Sequence, residues 1–221
     1  HLAGIPGGAI LPFYDALHDS ALQHILARHE QGAGFIAQGM ARVTGRAAVC
    51  VATSGPGATN LITAIADARM DSIPLVAITG QVPQALIGTD AFQEVDTYGL
   101  SVPITKHNFM VRSPAELLEV VPLAFQLAES GRPGPVLIDF PKDVQTASIE
   151  ILDEDLPEPG RRIATSPCPE TSIHALAHLL SEAHRPVLYL GGGVIASGAG
   201  FAALQLARRL QAAIVSSLHA L

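Results

Sequence analysis

The residues with chemical potential sit in short glycine-rich or acidic segments. Arg28-His29-Glu30 precedes residues 31–42, a stretch rich in Gly and Ala. Small residues there let a helix pack closely and leave Glu30 near its start. A carboxyl group in apolar company has a raised pKa and can pass a proton near neutral pH, whereas one at a helix N-terminus can simply stabilise the helix. Residue type and spacing allow both readings of Glu30.

Ser54-Gly55-Pro56-Gly57 ends one apolar run and opens the next helical stretch, with Pro56 suited to a first turn. Free N–H groups at such a turn could meet an anion or a polar ring, or the turn could be only a tight connection. No Lys-Ser/Thr follows, so it is not a phosphate-binding P-loop. The dinucleotide fingerprint fails where its third glycine would stand, at Asn60. Gly191-Gly192-Gly193 also lets backbone approach a flat or phosphorylated ligand. Gly88-Thr89-Asp90-Ala91-Phe92-Gln93-Glu94 has the composition of a functional rim loop, or of a solvated connection. His24 and His29 lack the HExxH form, and His174 and His178 lack a third ligand. Cys50 and Cys168 have no CxxC partner, so a zinc site or redox dithiol is not supported.

The elements that must position these residues follow from periodicity. Strands are expected at 47–52, 74–79, 136–140, 186–190 and 213–217, and helices at 31–42, 58–70, 114–129, 171–183 and 200–210. Strands that are apolar throughout point to burial on both faces, hence a mostly parallel sheet in a three-layer α/β/α fold. Residues 1–8 read as an opening loop with no strand. Residues 148–169 read as a proline-rich, acidic linker between a first domain (1–147) and the start of a second, Rossmann-like α/β domain (170–221). Incomplete patterns at both ends suggest a piece of a longer chain.

Composition narrows the class. The chain has 221 residues, 48% hydrophobic and 15% charged, with 13 Lys plus Arg against 20 Asp plus Glu and a formal net charge of −7. No basic run supports nucleic-acid binding, and no apolar run is long enough to span a membrane. A soluble cytoplasmic protein is expected. The scarcity of charge suggests that part of the surface is covered by another chain or by further sequence.

Taken together, the segments resemble the thiamine diphosphate-dependent acetohydroxyacid (acetolactate) synthases, large catalytic subunit. The matching runs are Gly4-Ile5-Pro6-Gly7-Gly8-Ala9, Arg28-His29-Glu30-Gln31-Gly32-Ala33, Ser54-Gly55-Pro56-Gly57-Ala58-Thr59-Asn60, Ile78-Thr79-Gly80-Gln81-Val82-Pro83, the 88–94 loop, and Gly131-Arg132-Pro133-Gly134-Pro135-Val136. Pro141-Lys142-Asp143-Val144-Gln145 and Leu190-Gly191-Gly192-Gly193 extend the match, and Val95-Asp96-Thr97-Tyr98-Gly99 looks most like the bacterial isozyme I type.

The resemblance implies a pyrimidine-binding first domain and roles for individual residues. Glu30 would hydrogen-bond N1′ of the cofactor aminopyrimidine and so promote loss of the thiazolium C2 proton. Pro6, Gly7, Pro56 and Asn60 would lie against thiamine diphosphate, with Gly8 close to the reacting carbon. Gln93 would touch the reacting species, while Ala9, Pro83, Ala91, Phe92 and Lys142 would line the substrate channel. Arg132 and Gly191–Gly193 would contact FAD in a structural role. Mg²⁺ ligands are expected in a C-terminal domain that these residues lack, so no metal ligand is assigned and the piece alone is expected to be inactive. The implied reaction decarboxylates pyruvate and condenses the product with a second 2-ketoacid, pyruvate or 2-ketobutyrate. Its products would be 2-acetolactate or 2-aceto-2-hydroxybutyrate, in valine, leucine and isoleucine biosynthesis. A homodimer or homotetramer with a small regulatory subunit is implied too. Another thiamine-dependent decarboxylase or carboligase, and a non-catalytic nucleotide-binding module, are the alternatives.

Overall fold

The computed structural model describes residues 1–220 and divides them into two compact units, His1–Ala164 and Thr165 onward. In chain order the first unit contains β1 (Leu2–Gly4), α1 (Leu11–His18), β2 (His24–Leu26), α2 (Glu30–Thr44), β3 (Ala48–Ala52) and α3 (Pro56–Asp71). It continues with β4 (Leu75–Gln81), α4 (Thr97–Ser101), β5 (His107–Met110), α5 (Pro114–Glu129), β6 (Pro135–Pro141) and α6 (Lys142–Thr146). The six strands form one sheet in the order β2-β1-β3-β4-β6-β5, and every adjacent pair is parallel.

Alternation along the strands sorts the core into two layers. Cys50, Leu75, Ala77 and Leu137 pack with Ala37, Leu61, Ile65 and Ala68 of α2 and α3. Their neighbours Val76, Val136 and Ile138 face the other way and pack with Ala124 and Ala128 of α5. Leu2 and Val51 meet Ile10 and Leu17 at α1 on that second face. This is the three-layer parallel α/β fold expected from the wholly apolar strands. Burial pushes the Cys50 thiol up to about 12, which keeps it a protonated core side chain.

The expected opening loop is a correction. Leu2–Gly4 is a strand, registered against β2 on one side and β3 on the other. Three residues carry no readable periodicity, and their strand character comes from the two neighbours that pair with them. The strands β2 and β5 and the helix α1 went unread for the same reason of length or mixed polarity. The linker residues up to Ala164 lie with the first unit: Ile163 N donates to Ser130 Oγ at 2.9 Å. The second unit holds α7 (Glu170–Ser181), β7 (Val187–Leu190), α8 (Gly192–Ala196), α9 (Gly200–Leu210) and β8 (Ala213–Ser216), with β7 and β8 parallel.

The contact that most affects the site joins α2 to α3. A Cβ on Gly34 would stand 2.5 Å from the Ala64 Cβ, so the helices touch where one has no side chain. Buried Gln38 then donates Nε2 to Ala64 O at 2.8 Å. Gly34→Val is expected to lower stability by about 1–3 kcal/mol through overpacking. Gly39→Ala, on the same helix but with nothing near its would-be Cβ, should raise it by about 0.5–1 kcal/mol. Paired thermal melts of the two variants check the contrast.

Candidate active site

A parallel sheet delivers the loops after its strands to one edge. Here that edge collects residues 5–10 after β1, Glu30 after β2, Ser54–Asn60 around the start of α3, residues 82–96 after β4 and Lys142 after β6. Nearly all the residues singled out from the sequence in this unit therefore share one rim. Arg132 is the exception: it precedes β6, at the opposite edge. There its Nε donates to Ser72 Oγ at 2.7 Å and Nη2 to Met70 O at 3.2 Å.

Glu30 is the first residue of α2, after an N-cap in which His29 Nδ1 accepts from Gln31 N at 3.1 Å. A carboxylate there is favoured by the helix dipole. It is also engaged laterally: Asn60 Nδ2 donates to Glu30 Oε2 at 2.9 Å. The other oxygen, Oε1, lies 3.6 Å from where a Gly57 Cβ would be. Glu30 is thus a half-buried side chain that begins a helix and also faces a glycine-floored turn.

Thr53 organises the adjacent loop, and sequence reading did not single it out. Its Oγ1 accepts from Ala9 N at 3.2 Å. A Cβ at Gly7 would come within 2.6 Å of the Thr53 side chain, and one at Gly57 within 2.7 Å. The Thr53 side chain therefore fills the space between two backbones that must stay bare. Gly8 is exposed and nothing lies within 4 Å of its would-be Cβ. Pro6 and Pro56 are exposed beside it in sequence and at the turn.

The rim loop after β4 is anchored at three points. Gly55, with φ of 58°, packs so closely on Gln93 that a Cβ would meet Gln93 O at 2.6 Å. Gln93 itself has φ of 58°, an uncommon conformation for a residue with a side chain. Next to Pro83, Gln84 donates N and Nε2 to Asp143 Oδ1 and Oδ2, both at 3.1 Å, which ties this loop to the start of α6 beside Lys142. At its far end Gln81 Nε2 donates to Val95 O at 2.9 Å. Ala91 is half-buried and Phe92 is 87% exposed, so this unit by itself builds no wall around the Phe92 ring. Two grooves lie away from Glu30, one along α5 against residues 157–161 and one beside β5 near Tyr98 and His107.

Beneath the rim loop lies Asp139, which sequence reading missed. It is fully buried on β6, with Thr79 Oγ1 donating to Oδ1 at 2.8 Å and Gln81 Nε2 donating to Oδ2 at 3.1 Å. Burial pushes its carboxyl up to about 7; those two hydrogen bonds pull it down, and the Asp96 carboxylate adds to the rise. A signal existed, since one Asp interrupts the apolar run Val136–Phe140. In the second unit, Gly191 caps the short α8, Gly192 would press a Cβ against His219, and Gly193 is open. No three His, Cys, Asp or Glu side chains converge to hold a metal among the described residues. Among the described residues no helix is long and apolar enough to cross a membrane.

Comparison with known proteins defines the class. Residues 1–100 match the thiamine pyrophosphate enzyme N-terminal TPP binding domain, and residues 173–221 match the central domain of the same enzymes. The chain belongs to the thiamine pyrophosphate enzymes and is a homologue of the acetolactate synthase large subunits. It is 66% identical over 195 residues to acetolactate synthase isozyme 1 large subunit of Escherichia coli, which covers 88% of this chain and 34% of that protein. It is 56% identical over 198 residues to acetolactate synthase large subunit of Corynebacterium glutamicum, covering 89% and 32%. A probable acetolactate synthase large subunit of Methanocaldococcus jannaschii is 54% identical over 220 residues, covering 97% and 37%. The chain spans about a third of the length of these curated relatives.

Two outcomes test this geometry. The folded-state pKa of Asp139 lies above its ordinary 3.8, so the folded form holds a proton that the unfolded chain gives up. Its contribution to stability is therefore greatest below about pH 4 and is lost as pH rises through about 7, and Asp139→Asn should remove this slope from unfolding curves measured across pH 4–8. Gly55→Ala should destabilise by about 1–3 kcal/mol, because it adds both a positive-φ penalty and a clash with Gln93, as chemical denaturation would read.

Proposed function

We propose that this chain supplies the pyrimidine-binding part of an acetolactate synthase. The enzyme would decarboxylate pyruvate and join the product to a second 2-ketoacid, pyruvate or 2-ketobutyrate, for branched-chain amino acid synthesis. The observation that carries this reading is the Glu30 carboxylate, held by Asn60 over a turn whose glycines admit no side chain. A flat aminopyrimidine needs just such a bare backbone floor and a carboxyl partner. Thiamine diphosphate, when bound, would act as the electron sink for the decarboxylation.

The chain's own residues have distinct duties in this reading. Glu30 holds a proton at the ring nitrogen, and Asn60 fixes the carboxylate that does so. Gly7, Gly8 and Pro6 lie along the ring, and Pro56 shapes the turn. Gln93 donates to the reacting species, while Ala9, Pro83, Ala91, Phe92 and Lys142 border the substrate path. Arg132 and Gly191–Gly193 would each contact FAD, which would have a structural role. Exposed Arg132 keeps guanidinium N–H groups beyond its two bonds to Ser72 and Met70, and Gly193 has open space above it, so both suit such a ligand. Mg²⁺ and the diphosphate would be held by residues outside this chain. Domain limits of 1–147, 148–169 and 170–221, a homodimer or homotetramer, a small regulatory subunit and a cytoplasmic location complete the proposal. Exposed apolar side chains near the rim, such as Leu11, Leu26, Phe35 and Phe92, support a covering partner.

The test is a pyruvate-to-acetolactate assay on a chain extended to the length of its relatives, with thiamine diphosphate, Mg²⁺ and FAD. Glu30→Gln should lower kcat by about 10²-fold or more, the usual scale for losing a positioned acid or base. Carbon dioxide without acetolactate would reassign the protein to the decarboxylases. Undiminished turnover by Glu30→Gln would withdraw the role of Glu30.

A further inference from the structure

Asp139 is a buried carboxyl group that the proposed chemistry does not use. It stands on β6 with Thr79 of β4 beside it and Gln81, the last residue of β4, on its other oxygen. All three side chains are essentially fully buried. Gln81 does more than satisfy Asp139. Its Nε2 also donates to Val95 O, and its Oε1 accepts from Val82 N at 2.8 Å. One amide thus grips both ends of the 82–95 segment, and the carboxylate fixes which way that amide is turned. An amide turned the other way would aim its oxygen at two acceptors, Asp139 Oδ2 and Val95 O.

The segment so held carries Pro83, Ala91, Phe92 and Gln93, and it is also held where Gln93 packs on the Gly55 backbone and where Gln84 donates to Asp143. We propose that Asp139 is a positioning residue: by orienting Gln81 it sets the backbone of the 82–95 loop, and with it the place of Gln93 at the site. The inference rests on the functional reading above for the meaning of Gln93, but the loop geometry it describes can be measured without turnover.

Three substitutions in the extended, cofactor-supplied enzyme separate positioning from mere stability. Asp139→Asn removes the carboxylate charge and leaves a single acceptor oxygen for the Thr79 and Gln81 donors. Gln81→Met removes the grip on Val95 while nearly keeping volume. Thr79→Val strips one partner from the same buried carboxylate but leaves the Gln81 arm intact. Hydrogen exchange at amides 88–95 should speed up about tenfold or more in the first two variants, with α2 amides unchanged. Thr79→Val should leave the loop at wild-type rates even if its melting temperature falls. Acetolactate formation should drop in kcat more than in KM for the same two variants. Loop exchange that stays at wild-type rates in Asp139→Asn and Gln81→Met overturns the proposal. So does exchange that rises uniformly across the unit, or equally in Thr79→Val. Should Asp139→Asn not fold, Gln81→Met and Thr79→Val decide the matter on the same readout. A wild-type enzyme that makes no acetolactate would withdraw the function and leave the exchange result standing.

Discussion

The approach of α2 to α3 at Gly34 and Ala64 is the constraint on which the site depends. Helices usually pack with axes 8–10 Å apart, the lower end requiring small residues at the contact. Here the absence of a side chain at Gly34, together with the small Ala37 and Ala41 on the buried face, lets α2 settle on its neighbour. Gln38 then closes the contact with a hydrogen bond to the Ala64 carbonyl. Because α2 begins at Glu30 and Asn60 lies in the early turns of α3, the depth of this packing sets their separation.

The same economy of side chains recurs at the rim. Thr53 pushes against two glycines, and Gly55 receives the Gln93 backbone. The Thr53–Gly7 contact joins the loop after β3 to the loop after β1, and the Gly55–Gln93 contact joins it to the loop after β4. The rim is thereby a set of backbones locked edge to edge, with few side chains of its own. Such an arrangement leaves a shallow floor, suited to a planar ligand that brings its own reactivity. Phe92 stays 87% exposed at this rim.

Buried polarity distinguishes this core from a simple apolar layer. Asp139, Thr79 and Gln81 sit where two central strands end, and every oxygen of the carboxylate has a donor. The cost of burying that group is visible in its raised pKa, and a pair of leucines would make a cheaper core. What the polar network supplies is direction: hydrogen bonds fix the orientation of the Gln81 amide in a way that dispersion cannot.

Much of the fold was legible in the residues. The apolar runs of β3, β4 and β6 and the periods of α2, α3 and α5 are long, and local pattern survives where length averages out exceptions. Likewise Glu30 and the glycine turns stood out because glycine clusters and a lone carboxylate before a small-residue helix are local facts. The strands β1 and β2, three residues each, were decided by pairing with neighbours far along the chain, which no local window contains. Thr53, Asp139 and Gln81 matter only through partners separated by dozens of residues, so their roles were invisible to spacing. Arg132 shows the converse: its motif was plain, but the parallel topology set it at the edge away from Glu30. Sequence determined which groups were available and which helices and long strands would carry them. Tertiary structure decided which of them meet, because contact across a sheet depends on strand order and packing depth, and neither is written in any single segment.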